Sequence, residues 1–310
     1  MTAPIVSVII PTFNRLRFLR ASIDSVLNQS FRDFEVIVQD NASPEDPTPL
    51  VAALADARIR LFRNATNIGQ TANIVTACAR AAGKYIAILG DDDLWRQDFL
   101  ATLVPPLERD PEIVVSFCAH DVIDQHGRLD AVLTQSCNRR FRDGLSEGVH
   151  APFVDIALIR RSICVMSAAV FRRDALDWRL MPKDLPYMSD VYVSYLAART
   201  GKRCYYHTTS LAQRREMPES ASVEATASVQ NKETIARAAM ACWDTLFRDS
   251  AVADGRPYFA MKRADNAIRI LLCGLWLRRW KAVLGEFSAF LQRGVIGPRA
   301  LLYHFRYGLH

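Results

Sequence analysis

The chain has 310 residues, half of them hydrophobic, enough to bury a sizeable core in one large domain or a domain with an appendage. Its net charge of +6 is uneven: residues 256–310 hold ten Lys/Arg against two acids, and the rest is close to neutral. Seven scattered cysteines without a C-x-x-C pair exclude a disulfide framework or a zinc site and fit a reducing, cytoplasmic setting, and no uncharged stretch approaches the roughly 20 residues a membrane span needs.

In chain order, "IVSVII" (5–10) is a β-branched run stopped by Pro11, and this run of six residues without a basic lead reads as a first strand rather than a signal peptide. Residues 17–29 then place Phe18, Leu19, Ile23, Val26 and Leu27 at helical spacing. "FEVIVQ" (34–39) is a second strand, 49–55 a helix, "IRLFR" (59–63) a third strand, 71–82 an Ala-rich helix and "KYIAIL" (84–89) a fourth strand. "IVVSFC" (113–118) is a further strand, 124–127 a turn, and 163–171 a buried strand or helix. Residues 128–162 show no period and read as loops forming a partner-specific surface, whereas from 221 onward the chain reads as helices.

Alternating strands and helices predict a largely parallel sheet covered on both faces, with ligands outside the carboxyl ends of its strands. That rule gathers "PTFNR" (11–15), "DNAS" (40–43) and "DDD" (91–93) along one crevice. Three adjacent aspartates behind an apolar strand repel one another and are costly to bury. A hard divalent cation resolves the conflict, and with it the binding of an anionic phosphate ligand.

The segments "VSVIIPTFNR", "SVLNQSFRDFEVIVQDNAS", "NIGQTANIVTACARAAGKYIAILGDDDLW" and "SDVYVSYLAARTG", in that order over about residues 5–215, resemble the family-2 glycosyltransferases. The resemblance implies an α/β chain with a single GT-A-type domain over 1–220: a nucleotide-sugar-binding half (1–100), an acceptor half (101–220) and a mostly parallel sheet flanked by helices. A helical, basic appendage over 221–310 follows. It also implies an inverting enzyme that uses Mn²⁺ or Mg²⁺ to move a sugar from a nucleoside-diphosphate sugar to a hydroxyl of a saccharide or lipid-linked saccharide in envelope polysaccharide or glycolipid assembly.

Carried over position by position, the resemblance puts Asp93 on the metal and Asp91 near the ribose or a metal-bound water, with Asp92 between them. The commoner family pattern has an acid where this chain has Gly90, so the division of labour among the three stays open. Asp40 matches the aspartate that accepts from the donor base, although "DNAS" also forms an Asx-turn unaided. Pro11, Thr12 and Asn14 match the loop touching base and ribose. Arg15 has two readings, diphosphate contact or solvated side chain, and Asn73 a supporting role near the nucleotide. Asp190, at the head of a helix, matches the catalytic base, with Asp184 its rival, and one of Arg214 and Arg215 is assigned to the diphosphate. Trp95 is either the floor of an acceptor pocket or a core residue.

A nucleotidyltransferase is the competing enzyme class, but "PTFNR" lacks the Gly-rich phosphate loop it needs; a non-enzymatic nucleotide-binding protein is the competing non-enzyme. Nucleic-acid binding has only tail charge behind it and is not expected. In the tail, residues 271–293 place Trp276, Trp280, Leu284 and Phe287 at helical spacing beside Arg278, Arg279 and Lys281. That pattern suits a helix lying on the inner face of a membrane and equally a helix packed on the catalytic domain.

Overall fold

A computed structural model describes residues 3–217 and 228–297. The described residues form two compact units, one running to Asp184 and again from Asp190 to Met217, the other holding Leu185–Ser189 and the residues from Ser228 on. The boundary expected at 220/221, and Arg299 and Arg306 of the basic tail, lie outside the described residues.

The first unit is built on β1 (Val6–Thr12), β2 (Phe34–Asp40), β3 (Ile59–Arg63), β4 (Tyr85–Ile88), β5 (Leu94–Trp95), β6 (Ile113–Ile123), β7 (Gly148–His150), β8 (Ala169–Arg172) and β9 (Arg203–Arg215). They join in the order β3-β2-β1-β4-β8-β6-β9-β5, with β7 also on β9. The first four are mutually parallel and β9 runs parallel to β6, whereas β8, β5 and β7 are antiparallel to their neighbours. Six of the nine strands described therefore point one way, and their carboxyl ends share an edge.

Strand alternation sorts the core into two layers. Val6, Val8, Ile10, Val36, Val38 and Ala87 face α1 (Leu16–Leu27) and α4 (Phe99–Arg109), which supply Leu19, Ile23, Phe99 and Leu103. Ile9, Ile37, Ile86 and Ile88 face α3 (Gln70–Cys78) through Ile74, Ala77 and Cys78. Here the sheet covered on both faces, read from alternation alone, is realised. At the opposite end from the crevice, Gly83 passes so close to β1 that a Cβ would lie 2.5 Å from the Ser7 nitrogen, so only glycine fits.

Four elements depart from the sequence expectation. Helix α4 escapes it because Pro105 and Pro106 fall inside, although Phe99, Leu100, Leu103, Val104 and Leu107 form its buried stripe. Strand β6 runs five residues past the expected end, carrying His120 and Asp121 into the buried sheet. Within the stretch read as loops, α5 (Ala131–Arg142) is a mostly exposed helix, started by Asp130 accepting from the Leu133 amide. Lastly, 271–293 is not one helix.

In the second unit α7 (Val229–Arg248), α8 (Arg256–Trp276) and α9 (Trp280–Gln292) pack Ala236, Ala267, Ile270, Val283 and Phe290 into a core of their own. Arg278, in left-handed backbone at φ 56°, turns the chain between α8 and α9. Gly274 lets the two helices approach, since a Cβ there would fall 2.6 Å from Val283 Cγ2. Glu233 pairs with both Arg237 and Arg279, which ties α7 to the corner. Trp276 and Trp280 flank that corner and are 76% and 62% exposed.

Candidate active site

Thr12, Asp40, Asp91 and Asp93 are all buried at the carboxyl ends of β1, β2 and β4. Thr12 Oγ1 donates to Asp91 Oδ2 at 2.7 Å, and the Phe13 amide approaches the same oxygen at 3.4 Å. Asp93 is held from two other directions, Ser167 Oγ donating to Oδ2 at 2.6 Å and the Arg215 backbone N–H to Oδ1 at 2.9 Å. Asp92 faces the Arg15 guanidinium, which also lies 3.8 Å from Asp91 Oδ1. A Cβ at Gly90 would sit 3.0 Å from Asp93 Oδ2, so position 90 stays small while the carboxylate of Asp93 is turned inward.

Burial, reinforced by the charge of Asp92, pushes the Asp91 carboxyl up to about 7 and that of Asp93 up to about 6. Arg15 opposes the rise at Asp91, as Arg214 does at Asp93, without cancelling it. The triplet is thus short of positive charge. Among the described residues no group of three or more His, Cys, Asp or Glu side chains encloses a metal site. What the crevice offers instead is one or two carboxylates, the donor set of a Mg²⁺-like ion that completes its shell with phosphate oxygens and water. Asp91 and Asp93 fit such an ion.

The same shifts set a pH dependence for the metal-free protein. Both carboxyls hold protons more tightly folded than unfolded, where they titrate near 3.9. Their contribution to stability is complete below about pH 4 and is lost as pH rises through the folded values. In chelator, Asp91→Asn should therefore melt several degrees above wild type at pH 8, with the gap closing toward pH 4. Thermal denaturation across that range checks it; a gap independent of pH would contradict the shift.

At the ends of β1 and β2, Asp40 has no exposed surface. Its oxygens accept the Ser43 amide at 3.1 Å, the Ser43 hydroxyl, and Arg63 Nε at 2.8 Å. The Asp40 carboxylate thus closes the loop onto Ser43, three residues on rather than the two of an Asx-turn, and Arg63 holds it from the other side. Pro11 pairs with Gln39 across the strands, and Asn14, at φ 54°, donates its amide to Ser43 Oγ at 2.8 Å. Asn73 is buried in a run of amides, its Nδ2 donating to the Gln39 carbonyl at 2.9 Å and its Oδ1 accepting from Asn64 at 2.8 Å. It fastens α3 to the end of β2.

Asp190 lies in the first turn of α6 (Ser189–Ala198), partly buried, with Arg161 Nη2 at 3.3 Å. Burial raises its carboxyl above the ordinary range and Arg161 pulls back, leaving a stronger base than a surface aspartate. Asp184 is exposed in the preceding loop. The two arginines separate in role. Arg215 is buried, its Nε and Nη1 donating to the carbonyls of Asp92 and Asp124 at 2.8 Å each, so it braces the triplet. Arg214 pairs with Glu216, and its charge reaches Asp93. Trp95 is core: its ring stacks on Phe99 at 4.2 Å and its Nε1 donates to the Ser167 carbonyl. Ser167, Arg161 and Arg63 carry contacts that no motif announces, because each is placed by a tertiary approach from a distant element.

The fold is shared with solved proteins. S. aureus TarS 1–349 in complex with UDP-GlcNAc superposes with a TM-score of 0.67 at 15% identity, over 95% of this chain and 82% of that one. The mannosyltransferase PcManGT of Pyrobaculum calidifontis, solved with GDP-Man and Mn²⁺, gives 0.60 at 18% identity over 100% and 89%. At these identities the likeness is one of fold. The GalNAc(5)-diNAcBac-PP-undecaprenol beta-1,3-glucosyltransferase of Campylobacter jejuni is 35% identical over 129 residues, 41% of each chain. WfgD of Escherichia coli, a UDP-Glc:alpha-D-GlcNAc-diphosphoundecaprenol beta-1,3-glucosyltransferase, is 36% identical over 91 residues, 29% of this chain and 36% of its own. Each match spans less than half of the curated relative. The sequence model of Glycosyl transferase family 2 matches residues 7–177, just over half of the chain, and the chain belongs to that family.

Proposed function

We propose that the protein transfers a sugar, with inversion, from a nucleoside-diphosphate sugar to a hydroxyl of a lipid-linked saccharide, assisted by Mn²⁺ or Mg²⁺. One observation carries the reading: two buried carboxylates, Asp91 and Asp93, stand short of positive charge at the strand ends. A divalent cation at Asp93 and Asp91 would supply charge stabilisation to the departing diphosphate. The loop of Pro11, Thr12 and Asn14 receives base and ribose, held from beneath by Asp40 through Ser43, while Asn73 fastens the neighbouring end of β2. Arg15, shared between Asp91 and Asp92, and Arg214, whose charge reaches Asp93, would supply cations to the diphosphate. Asp190 takes the proton of the acceptor hydroxyl as its oxygen bonds to the anomeric carbon and the bond from that carbon to the diphosphate breaks. The glucosyltransferase relatives act, by their names, on diphosphoundecaprenol-linked sugars, which supports a lipid-linked acceptor here.

Incubation with a panel of nucleotide sugars and acceptors, with Mn²⁺ or with chelator, tests the reading through nucleoside diphosphate release. Release that needs neither metal nor Asp93 would refute the mechanism.

The second unit suits work at an anionic bilayer surface. Leu272, Trp276, Trp280 and Leu284 are exposed around the α8–α9 corner, beside a shallow groove of about 430 Å³ lined in part by Val229, Lys232 and Leu275. Arg278 and Lys281 lie at the same corner, so apolar and cationic groups meet as in interfacial helices. Among the described residues no helix is long and apolar enough to cross a membrane. The double variant Trp276→Ser, Trp280→Ser should lose most co-sedimentation with vesicles containing phosphatidylglycerol while keeping its melting temperature. Undiminished sedimentation would remove the surface from consideration.

A further inference from the structure

Strand β8 enters the sheet antiparallel to β4, with Val170 opposite Ala87. Continuing that register past the start of β8 brings position 167 opposite position 90, so the chain just ahead of β8 arrives at the aspartate triplet although 74 residues separate it from Asp93. One turn of 3₁₀ helix, Met166–Ala168, holds it there, and the residue at the contact is a buried serine.

Ser167 grips the turn that carries the triplet at three points. Its Oγ accepts the Gly90 amide at 3.1 Å and donates to Asp93 Oδ2 at 2.6 Å, and its carbonyl accepts Trp95 Nε1 at 2.6 Å. Chemistry fixes the direction of the first two bonds: an amide N–H can only donate, so the hydroxyl answers it with a lone pair and keeps its one proton for the carboxylate. From elsewhere the Arg215 amide donates to Asp93 Oδ1 at 2.9 Å. Each oxygen of Asp93 therefore has one donor and retains acceptor capacity for a cation. A carboxylate held through both oxygens cannot turn its plane. Of the two donors, the Arg215 amide is main chain, so Ser167 is the side chain that sets this orientation.

We infer that Ser167 is a positioning residue for the metal site: through its hydroxyl it fixes the plane of the Asp93 carboxylate, so that Mn²⁺ or Mg²⁺ meets a ligand already oriented. The inference rests on the proposed function for the role of Asp93 toward the ion and for nothing about donor or acceptor. Orienting the ligand in advance removes that ordering cost from the binding step. Hydrogen-bond partners behind a metal ligand are typically worth about 10- to 100-fold in metal affinity. Removing the hydroxyl costs the fold less, because in Ser167→Ala the carbonyl bond to Trp95 survives and the Gly90 contact that is lost is only part-buried.

Mn²⁺ alone is the probe, titrated into the full chain without nucleotide while electron paramagnetic resonance counts the free ion. Ser167→Ala should weaken Mn²⁺ binding by about 10- to 100-fold, and Ser167→Thr, which keeps the hydroxyl, should stay within about threefold of wild type. In turnover the Mn²⁺ concentration for half-activation should rise by the same factor in Ser167→Ala, with kcat at saturating Mn²⁺ within about threefold. Trp95→Phe separates this role from general support of the turn: it breaks the bond to the Ser167 carbonyl and should melt below Ser167→Ala in chelator, yet keep Mn²⁺ affinity within about threefold. Unchanged affinity in Ser167→Ala, or an equal loss in Trp95→Phe, would overturn the inference. Binding lost in Asp93→Asn but kept in Ser167→Ala would overturn it and leave the metal reading intact. Binding that follows Ser167 in a protein that releases no diphosphate from any nucleotide sugar would support it and reject the transferase reading.

Discussion

In Asp93→Asn, metal-stimulated turnover is expected to fall by on the order of 10³, to the rate of the wild-type protein in chelator. The reasoning starts from what asparagine preserves. It has nearly the shape of aspartate and one oxygen, enough to accept either the Arg215 amide or the Ser167 hydroxyl that now reach Asp93 at 2.9 and 2.6 Å. It lacks the charge that binds a cation. The melting temperature should hold or rise, since the replaced carboxyl is one that burial already drives up to about 6. The diagnostic quantity is non-additivity: if the carboxylate and the ion act as one unit, chelator slows wild type strongly and Asp93→Asn hardly at all. A variant that kept the wild-type response to Mn²⁺ would move the ion off Asp93.

Asp190→Asn should cost between about 10² and 10⁴ in turnover and leave nucleotide binding within about twofold. Asp190 pairs with Arg161 and takes no part in the Thr12–Asp91 and Asp40–Ser43 hydrogen bonds. A fall in kcat with an unchanged KM for the donor therefore separates it from the metal ligands. The pH profile separates it from a positioning role: with metal saturating, wild-type activity should fall along an acid limb as Asp190 becomes protonated, somewhat above the usual aspartate range because burial raises that carboxyl. The residual activity of Asp190→Asn should show no such limb. Retention of more than about a tenth of the rate would assign the proton to another group.

The parts of the site visible in the sequence are those that lie next to a strand end in the chain. Asp40, Asp91 and Asp93 follow β-branched runs directly, so the strand signal and the rule for parallel sheets locate them together. Ser167 and the Arg215 amide, which hold Asp93, come from 74 and 122 residues further on. Nothing in local composition marks such partners, because tertiary pairing chooses them. The same holds for secondary structure. The buried stripe of α4 was present beneath its prolines, and α5 escaped because an exposed helix needs no long apolar stripe. In the tail, the spacing of Trp276, Trp280 and Leu284 was compatible with one helix until Arg278 turned the chain.

Arg215, the last residue of β9, closes the aspartate site with its backbone N–H and braces it with its side chain. This sets an order of events during synthesis. Strands β1 to β4 leave the ribosome early and pair in parallel, yet the carboxylate at their edge has one of its two hydrogen-bond partners more than a hundred residues away. Until β9 inserts between β6 and β5, Asp93 lacks the Arg215 amide and keeps only Ser167 as a partner. Long-range parallel pairing of this kind is slow to form. The carboxylate of Asp93 thus gains its full set of hydrogen bonds only when the first unit is complete.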